Sequence, residues 1–318
     1  MSSKRVNAFQ SDAAAVTKIG RRAILSILGL AVSNLACASN AAPRAATPPK
    51  RRHIDAAELL PGDLDAVLRI DLARMRAALG PMTQSLSARV GAEVDGQDEL
   101  AAKAIERARV VWIGTRLADM DTGDRVLIIE GDVEDLRPDP IVFHKLDPPF
   151  SDDVKTFERR GPLSRNATAR IHLLGERTIV FVSSVEADGV ERILRRGADP
   201  DRRDPPADGL LSADVRGRRL PPQLERRFPS IGSIVRGINR ARASVTMVDE
   251  GLKLDIEVTN GSIPASTKLE GFLKALREGG QGSRYAVLFE EMHVERIEQA
   301  VRVKWLVPLE MLQKLVDA

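Results

Sequence analysis

Residues 252–258, Leu-Lys-Leu-Asp-Ile-Glu-Val, alternate strictly between aliphatic and charged side chains. Successive side chains of a β-strand point to opposite faces, so the segment reads as a strand with one dry face and one wet face. Such strands belong to antiparallel sheets packed on a single side. The turn Asp249-Glu250-Gly251 precedes it, and "ASVTMV" before that turn supplies a partner strand.

Comparable pairs recur along the chain. "RVVWIGTRL" and "RVLIIEGDV" are two strands joined by the turn-rich "ADMDTGD", and "ARIHLLGERTIVFV" is a second hairpin. A strand over 64–71 and a helix near 98–109 come before them. A helix opens at the capping box Ser183-Ser-Val-Glu186 and stops at Gly197. Further on, "GLLSADV" leads into residues with Leu224, Phe228, Ile231, Val235 and Ile238 in helical register. Strands around "HVERIEQAVRVKWLV" and a helix opened by Pro308 close the chain. The expected fold class is α+β: two sequential units of similar topology, antiparallel sheets with helices packed on one face. The expected boundaries are 54–198 for the first unit, 199–208 for a proline-bearing linker and 209–318 for the second.

The N-terminus has a different character. An apolar run from Ala23 to Ser33 lies between Arg22 and the small-residue ending Ala36-Cys37-Ala38. It is too short for the roughly 20 residues that cross a bilayer. Positive residues, a short apolar region and an A-x-A ending give the layout of a secretory signal. Gly20-Arg21-Arg22-Ala23-Ile24-Leu25 resembles the core of a twin-arginine signal, which implies export of an already folded chain. Two fates of Cys37 follow: cleavage after Ala38 discards it, and cleavage before it leaves a lipidated N-terminus. Residues 39–53 are rich in alanine and proline and read as a tether. The expected location is periplasmic or secreted, with a membrane-anchored lipoprotein as the alternative.

Five of the 48 basic residues and one of the 45 acidic residues lie in the first 38 positions, which leaves 43 against 44. The basic balance thus belongs to the leader, and a nucleic-acid partner loses its support. With Cys37 as the only cysteine, disulfides, thiol catalysis and cysteine-ligated metals drop out of the body.

Catalytic motifs are absent: no G-x-S-x-G, S-x-x-K, H-E-x-x-H, P-loop or G-x-G-x-x-G occurs. His53 falls in the tether, and His144, His172 and His293 lie singly in or beside strands. Asp119, Asp121 and Glu130 match positions 1, 3 and 12 of a calcium loop, but Asp124 occupies the position that needs glycine, so a hairpin turn is expected. Trp112 and Trp305 are expected to pack in the core. No catalytic residue, metal site or cofactor is expected.

From Arg192 to Arg242 thirteen arginines face six acids. A guanidinium binds carboxylate or phosphate bidentately where lysine offers a point charge. Arg218, Arg219, Arg226 and Arg227 are the candidate anion- or partner-binding residues, facing an anionic envelope component or another envelope protein. The expected function is an exported, non-enzymatic binding or interaction module. The alternatives are a hydrolase with a site assembled from scattered residues and a lipid-anchored structural protein. Residues 1–40 fused to a reporter are expected to carry it out of the cytoplasm, and changing Arg21 and Arg22 to Lys to block that transfer. A reporter retained inside contradicts export, and transfer indifferent to the substitutions contradicts the twin-arginine route.

Overall fold

The computed structural model describes residues 55–80, 99–116, 125–147, 153–161, 167–198, 206, 208–217, 232, 234–281 and 286–311. The leader, the tether, Cys37 and most of the 199–208 segment lie outside the described residues. Two compact units divide between Val215 and Arg216. The fold is α+β, with antiparallel strands and a few helices.

In the larger unit the strands are β1 (Ala66–Asp71), β2 (Ala108–Thr115), β3 (Arg125–Gly131), β4 (Phe143–Lys145), β5 (Val154–Arg159), β6 (Arg170–Leu174), β7 (Thr178–Val182) and β8 (Leu211–Arg216). Their order is β8-β1-β2-β3-β7-β6-β5-β4, antiparallel throughout. Among the described residues the helices α1 (Leu72–Leu79), α2 (Glu99–Glu106) and α3 (Ala187–Arg196) accompany them.

Register assigns the two faces. Val67, Trp112, Ile128 and Val180 share one face and cluster with Val190, Ile193 and Leu194 of α3 and with Leu59 of a short 3-10 turn. Val111, Ile113, Leu127, Ile129, Ile179 and Phe181 point the other way and are buried too. The apolar runs of β2, β3 and β7 reflect this double burial. Each fully buried Val, Leu or Ile stabilises by about 1.5–3 kcal/mol, so these central strands carry most of the unit's cohesion. On α1, Arg76 donates to the carbonyls of Glu106 (2.9 Å), at the end of α2, and Ala108 (2.6 Å), at the start of β2.

Two expectations change here. "GLLSADV", expected to open the second unit, is β8, and it pairs with β1 through Arg69↔Ser212 and Val67↔Asp214. The compact boundary therefore follows β8 instead of preceding it, because a pairing across about 140 positions leaves no local trace. The helix expected from Ser183 begins one turn later: Glu186 is the N-cap residue of α3, and the Ser183 hydroxyl accepts from the Arg125 amide (3.2 Å). Gly197 ends α3 as expected, with φ 91° and its N–H donating to Ile193.

The smaller unit holds β9 (Ile238–Val248), β10 (Gly251–Asn260), β11 (Met292–Ile297), β12 (Ala300–Pro308), α4 (Ile263–Gln281) and α5 (Ala286–Glu290). Its strand order is β9-β10-β12-β11, again antiparallel. In the larger unit β2, β3, β7 and β6 are neighbours in that order. Leu224, Phe228 and Ile231 lie outside the described residues, and Ile238 starts β9 instead of continuing a helix. Gly251 is required at its turn: φ is 154°, and a Cβ there would meet the Val307 carbonyl at 2.2 Å. Helix α4 and strands β4 and β5 had no counterpart in the sequence expectation. Leu269 and Leu273 of α4 cover Val258, Ile256 and Val301, and Phe289 of α5 stacks on Trp305 at 5.7 Å.

His172 is completely buried on β6, and its Nδ1 lies 2.9 Å from the Thr156 hydroxyl. Desolvation, helped by the nearby Arg170 cation, pushes its pKa down to about 3. Between that value and the ordinary 6.5 the unfolded chain binds a proton that the folded chain refuses, so stability falls as the pH drops through this window. By pH 4 the loss is about 3 kcal/mol from this group. Denaturant unfolding at pH 7 and pH 4 is expected to show it, and His172→Gln to remove that share. An unchanged pH dependence in the variant contradicts it.

Candidate functional site

The alternation of β10 gives the smaller sheet two unlike faces. Leu254, Ile256 and Val258 face the helices, together with Val301, Val303 and Trp305 of β12. On the opposite face, residues directly across from one another form rows. One row reads Arg242, Glu257, Arg302, Glu295 from β9 to β11. The next reads Ser244, Asp255, Lys304, His293. Lys253 and Arg240 stand on the same face at its two ends.

Arg242, Lys253, Glu295, Arg302 and Lys304 are exposed, and His293 is 73% exposed. Arg302 Nε donates to Glu257 (2.8 Å), and Lys253 pairs with Asp255 (3.0 Å). Among the described residues Arg242, Glu295 and Lys304 make no ion pair within the chain. Such exposed pairs add little to stability, roughly 0–1 kcal/mol each. Arg240, Arg242, Lys253, Arg302 and Lys304 against Asp255, Glu257 and Glu295 leave these rows net positive, and guanidinium and ammonium groups of this kind can pair with anionic groups.

Of the candidates read from the sequence, Arg218, Arg219, Arg226 and Arg227 lie outside the described residues. The same arginine-rich run continues into β9, where Arg240 and Arg242 meet cations contributed from about 60 positions away. Arg302, Lys304 and Lys253 were not singled out in the sequence, although "VRVKW" alternates as 252–258 does. Asp119, Asp121 and Asp124 lie outside the described residues, while Glu130 accepts from Trp112 Nε1 (2.9 Å). Trp112 is buried as expected, and Trp305 is half-buried. Among the described residues no group of three His, Cys, Asp or Glu side chains gathers around a metal-sized space.

Two further polar clusters serve the fold of the larger unit. Arg69 lies over the Trp112 ring at 5.6 Å and bonds Asp71 (3.1 Å), the Gly209 carbonyl (3.0 Å) and Asp208 (3.2 Å). It fastens the approach to β8 onto β1. Arg116 bridges Glu186 (2.5 Å), which is 1% exposed, and Asp63 (2.6 Å), which is 64% exposed. The hydrogen bond to Glu186 is the main reason its guanidinium is held above the ordinary arginine range.

No protein-family model and no curated protein matches the chain. Among solved structures it is similar to crystal forms I, III and IV of TP0453. Their TM-scores are 0.47, 0.47 and 0.46 at 8%, 9% and 10% identity. They cover 83%, 84% and 84% of this chain and 97%, 99% and 98% of TP0453. No residue role follows from a likeness at this level.

Removing one partner of a buried ion pair costs about 3–5 kcal/mol, whereas an exposed pair contributes under about 1. Arg116→Met is therefore expected to lower stability by about 3 kcal/mol, and Asp63→Asn by less than about 1. Equal losses in denaturant unfolding of the two variants contradict this division.

Proposed function

We propose that the chain is an exported envelope protein that acts by binding, docking an anionic envelope component through the open face of its smaller sheet. The observation that carries this reading is the gathering of the exposed Arg242, Lys253, Arg302 and Lys304, with the half-buried Arg240 beside them, on one face of the sheet. Arg218, Arg219, Arg226 and Arg227 belong to the same arginine-rich run and add to the attraction. The twin-arginine leader supports export, and residues 39–53 tether the body to its site of action. If Cys37 is lipidated, the tether fixes the body to a membrane. No helix among the described residues is long and apolar enough to cross a bilayer.

Catalysis draws less support. Thr156 and His172 form a hydroxyl–imidazole pair, yet they are 1% and 0% exposed and closed to a substrate. The buried Ser212 lies on β8, five strand spacings from His172, or about 24 Å.

Contacts of this kind weaken as salt shortens the roughly 10 Å screening length found at 0.1 M. The purified chain is expected to co-sediment with phosphatidylglycerol vesicles or cell-wall fragments at low salt and to lose about tenfold in affinity near 0.5 M. Arg302→Ser with Lys304→Ser is expected to weaken that binding without changing stability by more than about 1 kcal/mol. Binding equal in both salts, or unchanged in the variant, contradicts the reading.

A further inference from the structure

We propose that a second copy of this chain also fits the open face, two smaller sheets meeting about a two-fold axis that runs parallel to their strands. This rests on the reading of that face as a docking surface. The signs on the face alternate in an order that suits its own copy. From β9 to β11 one row reads plus, minus, plus, minus: Arg242, Glu257, Arg302, Glu295.

A two-fold axis along the strands lays β9 of one copy over β11 of the other, and β10 over β12. Arg242 then faces Glu295 of the second copy, and Glu257 faces its Arg302. The same operation acts on the next row, setting Asp255 opposite Lys304 and Ser244 opposite His293. Both rows are self-complementary under one operation, which is what an isologous contact requires. An in-plane axis perpendicular to the strands fails. Centred on the first row it lays Arg242 on Arg242, and centred between the rows it sets Glu257 on Asp255 and Arg302 on Lys304.

The pairing state of the charges points the same way. Glu257 and Arg302, in the middle of the row, bond each other, whereas Arg242 and Glu295 at its ends are exposed and make no ion pair among the described residues. Those two are the charges that the second copy would engage. Four strands at about 4.8 Å and some eight residues at about 3.4 Å give a face of roughly 500 Å² per copy. About 1,000 Å² in total lies at the low end for specific interfaces. The association is therefore weak, salt-sensitive and in competition with an anionic partner on the same face.

Sedimentation of the purified chain over about a hundredfold range of concentration tests this. A rise toward twice the monomer mass is expected at about 0.05 M salt, with affinity at least about tenfold weaker at about 0.5 M. Arg242→Glu alone and Glu295→Arg alone are each expected to remain monomeric. Mixed in equal amounts they are expected to associate, because each altered charge then faces its opposite. The pair Asp255→Lys and Lys304→Glu repeats the design in the second row should either first variant fold poorly. A wild-type chain that stays monomeric at low salt overturns the proposal, as does association unaffected by the single changes or not recovered on mixing. A monomeric chain that still binds vesicles or wall fragments removes the second copy and leaves the docking reading. A chain that does neither removes both.

Discussion

The antiparallel pairing of β10, with β9 on one side and β12 on the other, is the constraint on which the smaller unit depends. It aligns three strands whose side chains alternate, so Leu254, Val245 and Trp305 share the helix side while Asp255, Ser244 and Lys304 share the other. A slip of one residue would exchange the two sets and put lysine and glutamate under α4. The apolar set secures that register. The charged set, carried along by it, becomes an ordered array of alternating sign. The charged face is thus a by-product of the same pairing that builds the core.

Much of this was legible in the chain. Strands β2, β3, β6, β7 and β10 to β12 follow from alternation and turn chemistry, and the α+β class follows from them. What escaped has identifiable causes. α4 is announced by Ser262, whose hydroxyl accepts from Ala265 (3.3 Å), and by Pro264 in its first turn. Leu269, Phe272, Leu273 and Leu276 recur at helical spacing, but Gly271, Gly279 and Gly280 break the helix-forming character of the segment. Gly280 is there for packing, since a Cβ would meet the Phe289 ring at 2.3 Å. β8 escaped because strand pairing is a long-range event. At Ser183 the expected cap does not form: its hydroxyl accepts from the Arg125 amide, and the Glu186 carboxylate is held by the Arg116 guanidinium.

The candidate site was half legible. The excess of arginine between 192 and 242 is visible by counting, but its complement on β12 is not, because only the register β9-β10-β12 brings positions 242 and 302 into one row. Residues that attract attention in isolation, Glu130, Trp112 and His172, turn out to be occupied inside the larger unit. The Glu130 carboxylate receives the Trp112 indole, and His172 faces Thr156 in the core. Polar groups buried among central strands need partners, so their presence there speaks of packing.

The smaller unit has a helix-covered face that holds it together and an open ionic face, the proposed docking surface. Amine-directed footprinting tests that division directly, because lysines mark both sides: Lys253 and Lys304 on the open face, Lys268 and Lys274 on α4. With anionic vesicles at low salt, or at concentrations where copies associate, labelling of Lys253 and Lys304 should fall several-fold while Lys268 and Lys274 react as before. Protection of the α4 lysines, with Lys253 and Lys304 still reactive in the bound state, would contradict it.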